Sequence, residues 1–558
     1  MKGHFLKTII LMAAITCALL ANAVIAAGPD SDRYIVSFQN SVKGKSALRG
    51  AGADVLLDLP NQRAVAARIP AQALKGLQRN PSIEYIEVDA PRFPMSQTTP
   101  WGIPMVQADS DLLSDAATGD TLVCIIDSGY SNGHEDLPDL GAGDASPNSG
   151  TGDPLATSTI CHHGTHVAGT IAASANNIGV IGVNPNGNVG LHIVKVFEDD
   201  ANSPSGCGWG YSSNLVAALD ACIAAGTDAG AKTIVNMSLG GPTKNRTEQR
   251  AFTSAYNAGV LSIAAAGNDG NTRHSYPASY DSVISVAAVD SALVVADFSQ
   301  QTSQVELAAP GVAVRSTVTM DTGTEESLDV GGSGYEATGM EGSAQVSATG
   351  ALFRCEAIDG LGSPGDCAGA GGKVCLISRG DISFAEKALE CESAGGVGVV
   401  IFNNTTALFS GTFGDSIVSI PGIGISGSDG AILGGKLGQS ATISNTAGHY
   451  AYYDGTSMAT PHVAGVAALV WSHDLNCTNA DIRSALASTA FDLGTAGRDN
   501  AYGYGLVQAE RAVLGLDCGG GGGGGGQCDL LPQGASCTDG NQCCSGNCKG
   551  KRGAMTCK

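Results

Sequence analysis

The chain has 558 residues, of which only 15% are charged, yet its Asp and Glu so outnumber its Lys and Arg that the formal net charge is −22. So acidic a surface argues against nucleic acid or an anionic membrane as partner and suits an exported, soluble protein. The length calls for several structural units and leaves ample chain for a large core.

Residues 1–27 carry Lys2 and Lys7, an apolar run from Phe5 to about Leu20, and the small-residue stretch ANAVIAA. This pattern reads as a secretory signal peptide cut between Ala23 and Ala27, too short for a membrane anchor. Of the 17 cysteines, Cys17 lies in this segment. The even number left in an exported protein reads as disulfides rather than metal ligands.

Within 28–95, the stretches DRYIVSFQN, VLLDLPNQRAVAARIP and IEYIEVDA alternate apolar with polar residues around a helix-like AQALKGLQRN. They predict a small α+β unit. From 96 to 518 the strand-like runs TLVCIID, LHIVKVF, TIVNMSL, LSIAAAG and VISVAAV alternate with the helical HVAGTIAAS and NLVAALDACIAAG. That order predicts an α/β fold, a parallel sheet with helices on both faces. The glycine run within 519–527 is a flexible linker. Residues 528–558 hold six cysteines on a segment too short to bury a core without crosslinks.

Three motifs carry the chemistry: VCIIDSGY around Asp127, HHGTHVAG around His163 and DGTSMATPHVAG around Ser457. A serine hydroxyl is a poor nucleophile at neutral pH until an imidazole takes its proton. A carboxylate must then fix the imidazole tautomer and stabilise the imidazolium. A fourth block, IAAAGNDG, offers Asn268 as a donor to a developing oxyanion.

With the chain order Asp, His, Ser, these blocks resemble the subtilisin family of secreted serine proteases. The resemblance implies Asp127, His163 and Ser457 as a catalytic triad, with the Asn268 amide and the Ser457 N–H as oxyanion hole. It implies that His166 is structural, that 28–95 is an inhibitory propeptide, and that maturation cuts near Met95–Ser96, before SQTTPWGIPMVQA. Where that pattern has a short hairpin before the serine, residues 325–447 intervene, and their GKVCLISRGDISFAEKALECESAGGVGVVIFNN resembles a protease-associated domain.

By the same resemblance, Gly208, Trp209 and Gly210 face Ser238, Leu239 and Gly240 as two edges that sandwich an extended peptide. Gly240, Gly241, Ala265, Ala266 and Gly267 would wall the primary specificity pocket. Ser275 stands at its base, where a glycine is usual. No carboxylate lies in these segments, so apolar or aromatic residues are expected on the acyl side. Gln97, Asp136, Ser174, Asn176, Ile178 and Val180 match a ligand set in which one carboxylate among neutral oxygens suits structural Ca²⁺.

The resemblance also pairs Cys161 with Cys207; Cys477 with Cys518 is a further expected pair, and Cys124 and Cys222 are left as either a bridge or two buried thiols. The tail resembles knottin-like miniproteins, implying Cys528–Cys544, Cys537–Cys548 and Cys543–Cys557. The expected protein is a secreted monomeric endopeptidase acting on proteins or peptides, with its own propeptide as temporary inhibitor. The competing reading is an inactive scaffold that binds proteins.

Overall fold

The computed structural model describes residues 33–88, 97–110, 113, 120–148, 152–158, 160–187, 189–203, 206–208, 210–355, 365–380, 382–414, 416–516, 518, 548–551 and 554–557. The expected signal peptide and maturation cut, the glycine linker and Trp209 lie outside them. The chain divides into two compact units, residues 1–94 and 95–558.

In the first unit, β1 (Arg33–Phe38), α1 (Ser41–Gly50), β2 (Asp54–Leu59), β3 (Ala64–Arg68), α2 (Ala71–Leu77) and β4 (Ile83–Val88) follow in sequence. The strands pair antiparallel in the order β2-β3-β1-β4. Val36 and Phe38, two residues apart and so on one face, meet Leu48 of α1 and Val65 and Ala67 of β3 in a single apolar cluster. Asn40 caps α1 by accepting from the Lys43 N–H at 3.1 Å. This is the small α+β unit that the alternation predicts.

The second unit opens with α3 (Gly102–Met105) and then builds a seven-stranded sheet. Its strands are β5 (Thr121–Asp127), β6 (Ala145–Ser146), β7 (Gly190–Lys195), β8 (Lys232–Met237), β9 (Leu261–Ala265), β10 (Val283–Val289) and β11 (Val305–Pro310). All neighbours are parallel, in the order β11-β10-β9-β8-β5-β7-β6. The crossovers are α4 (His163–Ala172), α5 (Ser212–Ala229) and α6 (Arg246–Asn257). Every residue of β5 is buried, as expected for a strand covered on both faces. Val123 and Ile125 join one core with Val167 and Ile171 of α4. Cys124 and Ile126 join the opposite core with Leu215, Leu219 and Cys222 of α5. A disulfide between Cys124 and Cys222 ties strand to helix on that second face.

Past β11, β12 (Val314–Thr317) leads into the insert. There β13 (Gly323–Val330), β14 (Ser333–Tyr335), β15 (Thr338–Glu341), β16 (Ser347–Arg354), β17 (Val374–Ser378), α7 (Phe384–Ser393), β18 (Gly398–Phe402), β19 (Gly411–Thr412), β20 (Gly422–Ile425), α8 (Gly427–Gly434) and β21 (Ser440–Gly448) form one nine-stranded sheet with its two helices. Disulfides Cys355–Cys367 and Cys375–Cys391 staple it. The chain then re-enters the parallel-sheet domain through β22 (Tyr450–Tyr453), which pairs antiparallel with β12, Val314 opposite Tyr453 and Thr317 opposite Tyr450. Entry and exit are therefore adjacent, and the parallel sheet closes without regard to what hangs between them.

Helix α9 (Thr456–His473) runs behind the sheet, buried along almost its whole length, followed by α10 (Asn479–Thr489) and α11 (Ala509–Leu514). Cys477 and Cys518 are bonded, as are Cys161 and Cys207. In the tail, β23 (Cys548–Lys551) and β24 (Ala554–Cys557) pair antiparallel with Cys548 opposite Cys557. The other four tail cysteines lie outside the described residues. Among the described residues, no helix is long and apolar enough to cross a membrane.

Candidate active site

Asp127 is the last residue of β5 and fully buried. Its Oδ1 accepts from the Ser128 N–H at 2.7 Å and lies 2.7 Å from His163 Nδ1. That contact fixes Nδ1 as the protonated nitrogen and leaves Nε2 as the basic one. Burial pulls the His163 imidazole down, but the Asp127 charge and its hydrogen bond outweigh burial and hold the ring above its ordinary 6.5. His163 opens α4, and Gly164 follows because a Cβ there would lie 2.3 Å from the Gly129 carbonyl oxygen and 3.2 Å from Asp127 Cβ. The next histidine of the motif, His166, is fully buried and stacked on Tyr453 with ring centroids 4.4 Å apart. Its Nε2 meets the Val314 and Ala451 carbonyls at 3.0 and 3.1 Å, so it fastens α4 to both β12 and β22.

Ser457 is the second residue of α9, where backbone N–H groups have no helical acceptor and the helix dipole is positive. Pro461, four residues on, lacks the N–H that would bond the Ser457 carbonyl. Ser238 Oγ donates to that carbonyl instead at 2.7 Å, while Ser457 Oγ donates to the Ser238 carbonyl at 3.1 Å. Asn268 Oδ1 accepts from the Thr456 N–H at 2.9 Å and from its hydroxyl at 2.7 Å. These two donors orient the amide, so that Nδ2 is turned away from Thr456. His163, Ser457 and Asn268 all line one cleft of about 1110 Å³.

A smaller pocket of about 250 Å³ opens beside Ser457, lined by Leu239, Gly240, Gly241, Ala265, Gly267 and Ser275. Ser275 Oγ narrows it: a Cβ on Gly240 would come within 2.4 Å of that oxygen. Gly208 and Ser238 line the larger cleft. Ala266 belongs elsewhere. It packs with Ala287, Val289 and Val305 in the apolar cluster behind the pocket, because successive residues leaving β9 point to opposite sides. Gly210, exposed, borders neither cavity. Sequence reasoning missed Gln300, Arg273 and His274, which also line the small pocket. Their only signal was nearness to Ser275 in the chain, and Gln300 lacked even that.

The six oxygen-bearing candidates for an ion also meet. Gln97 Nε2 reaches the carbonyls of Ser174, Ile178 and Val180 at 2.5, 3.0 and 3.0 Å and Asn176 Oδ1 at 3.4 Å. Asp136 Oδ2 accepts from the Val180 N–H at 2.8 Å, whereas Oδ1 is buried with no partner among the described residues. Gly179 is required between them, since a Cβ would lie 1.9 Å from Tyr450 Oη and 2.4 Å from Asp136 Oδ2. Four oxygens converging on one point beside an orphaned carboxylate oxygen fit a hard cation such as Ca²⁺.

Comparison with known proteins matches residues 118–356 and 394–505 to the subtilase family and residues 344–433 to the PA domain. The chain is 34% identical over 321 residues to subtilisin J of Geobacillus stearothermophilus, a match covering 54% of this chain and 78% of that protein. It is 31% identical over 320 residues to the thermostable alkaline protease of Halalkalibacterium halodurans, covering 56% and 80%. Among solved structures, a psychrophilic subtilisin-like protease from the Antarctic psychrotroph Pseudoalteromonas sp. AS-11 is 42% identical with a TM-score of 0.65. That likeness covers 75% of this chain and 98% of the other.

Proposed function

The chain belongs to the subtilase family and is a subtilisin-like serine peptidase, and from that premise we propose a secreted endopeptidase working through Asp127, His163 and Ser457. The observation that carries the assignment is the 2.7 Å contact between buried Asp127 and His163 at the rim of the cleft that Ser457 lines. For attack, Ser457 Oγ must leave the Ser238 carbonyl and turn to His163 Nε2, which lines the same cleft. The imidazole then takes the hydroxyl proton as Oγ attacks the scissile carbonyl, Asp127 stabilises the imidazolium, and the proton passes on to the leaving amine. Water repeats the cycle on the acyl-enzyme.

The oxyanion of each tetrahedral intermediate meets Asn268 Nδ2 and the Ser457 N–H. In subtilisin, loss of the side-chain donor lowers kcat about 10²–10³-fold, a magnitude carried over from that relative. The small pocket takes the acyl-side residue. Leu239, Gly240, Gly241, Ala265 and Gly267 favour apolar or aromatic side chains, while Ser275 limits their depth and Asp269, Arg273, His274 and Gln300 add polar groups to the lining. Ca²⁺, held by Gln97, Asp136, Ser174, Asn176, Ile178 and Val180, would lock the 174–180 loop and supply no chemistry to the cleavage.

We also take residues 28–95 as the propeptide, 325–447 as the protease-associated insert and the signal as directing secretion. The test is wild type against Ser457→Ala with a fluorophosphonate and casein. Wild type should label at Ser457 and hydrolyse casein; the variant should do neither and stay unprocessed. Undiminished hydrolysis by the variant would sink the assignment.

A further inference from the structure

The small pocket beside Ser457 is built from residues 239–242, 265, 267–269, 273–275, 300 and 456–457, with no contribution from the insert. The larger cleft shares Ser457 and Asn268 with it, then continues past Met458 and Tyr453 onto the insert, where Glu326, Met340, Glu341 and Asn445 form its wall. On the reading that the small pocket takes the acyl-side residue, the part of the cleft beyond Met458 and Tyr453 is left for the leaving-group side of an extended substrate.

The wall has a definite chemistry. Glu326 and Asn445 are register partners across the β13–β21 ladder, so their side chains share a face. A Cβ on Gly339 would lie 2.5 Å from Glu326 Oε1. Glu341, two residues further along β15, projects to the same side as that hypothetical Cβ. Two carboxyl groups and a carboxamide therefore gather at one place. Asn445 is fully buried; its amide nitrogen donates to the Ala344 carbonyl at 3.3 Å, but its oxygen has no partner among the described residues.

Among the described residues, the basic group beside Glu326 is Arg315, which is already engaged by Glu325 at 2.6 Å and stacked over Tyr450 and Tyr452. Burial lifts the Glu326 carboxyl to about 7, against the Thr324 hydrogen bond and the Arg315 charge. A carboxyl held so takes up a proton unless a cation arrives. Among the described residues lining the cleft there is no lysine or arginine.

We propose that the insert wall is a cation-binding subsite, in which Glu326, Glu341 and the Asn445 carbonyl oxygen hold a lysine or arginine side chain on the leaving-group side of the scissile bond. The subsite rests on the reading of Ser457 as nucleophile. It makes the insert a determinant of where a polypeptide is cut.

The test uses full-length processed enzyme and internally quenched peptides identical up to the scissile bond, with Lys, Arg, Leu or Glu at successive positions after it. A p-nitroanilide, which has no residue beyond that bond, normalises each variant for catalytic competence. Wild type should favour Lys or Arg over Glu by about tenfold or more in kcat/KM at one position, the size of one charge-assisted contact. Glu326→Gln with Glu341→Gln should bring the ratio to near unity, and Glu341→Lys should turn the preference toward Glu. Asp329→Asn, which removes an exposed carboxylate of β13 outside the cleft, should leave the ratio as it was. A wild-type ratio near unity, a ratio surviving the double change, or equal loss in Asp329→Asn overturns the subsite. If wild type cleaves neither peptide nor anilide, the reading of Ser457 falls and the subsite with it.

Discussion

A single proton governs the site. In the proposed mechanism catalysis needs neutral Nε2 on His163, so the rate must fall as the ring is protonated. Burial lowers the ring's pKa, but the Asp127 charge and hydrogen bond leave it above the ordinary 6.5. The acid limb of kcat/KM should therefore bend above that value, activity being lost as pH falls through it. Asp127→Asn removes the charge that raises the ring and also the acceptor that selects its tautomer. The acid limb should then move to lower pH while kcat drops about 10⁴-fold, the size seen for this change in other serine-protease triads. A pH–rate profile of both proteins checks each half of the statement; an acid limb that stays in place would dissociate Asp127 from His163.

Elements deliver these residues, and their legibility varies with how local the information is. β5 can be read from its own residues, since a continuous apolar run ending in Asp127 describes a strand buried on both faces with its last side chain at the carboxyl edge. The triad blocks are legible because glycine and serine neighbours are demanded by close backbone approach, as at Gly164. Ala266 departs from the expected pocket wall, although strand alternation already turns it away from Ala265. The insert's share of the cleft is not legible at all, because Glu326 and Asn445 meet through a ladder between residues far apart in sequence. The 174–180 loop is readable as a set of oxygens but not as a clasp. In the fold it also holds the chain at Thr98, whose N–H donates to the Gly179 carbonyl at 2.7 Å. If Ca²⁺ binds there as proposed, chelating it should loosen both segments. In Ser457→Ala, which cannot digest itself, saturating Ca²⁺ over chelator should be worth about 2.7 kcal/mol at a hundredfold excess over Kd. Calorimetry reads this directly, and an identical Tm in both conditions would refute the site. The Cys161–Cys207 bridge braces the histidine loop; it spans 46 residues, which the chain-entropy model values at about 4 kcal/mol.

At the scale of the molecule, buried histidines set the acid limit. Burial lowers His166 to about 3 and His462 to about 4, whatever their backbone hydrogen bonds return. An unfolded chain binds these protons near 6.5, so stability should decline as pH falls from that value toward 3. Each histidine contributes up to about 1.4 kcal/mol of that decline for every tenfold rise in proton concentration. Urea midpoints measured across this range should fall steadily, and His462→Gln should make the decline shallower. A midpoint independent of pH there would remove these groups from the account.

The paired strands β12 and β22 have one further consequence, for the order of folding. β22 and α9 are separated from β12 and the rest of the sheet by the whole insert, so their docking must close a long loop. An insert that folds first brings Gly323 opposite Gly448 and delivers the two strands already in register, reducing the closure to a few residues. On that order of events α9, which carries the proposed nucleophile Ser457, docks last, and proteolytic competence is expected only once the rest of the enzyme is built. Pulse-labelled hydrogen exchange during refolding of Ser457→Ala should protect amides of β13 and β21 before those of β22 and α9; the reverse order would remove the insert from that role.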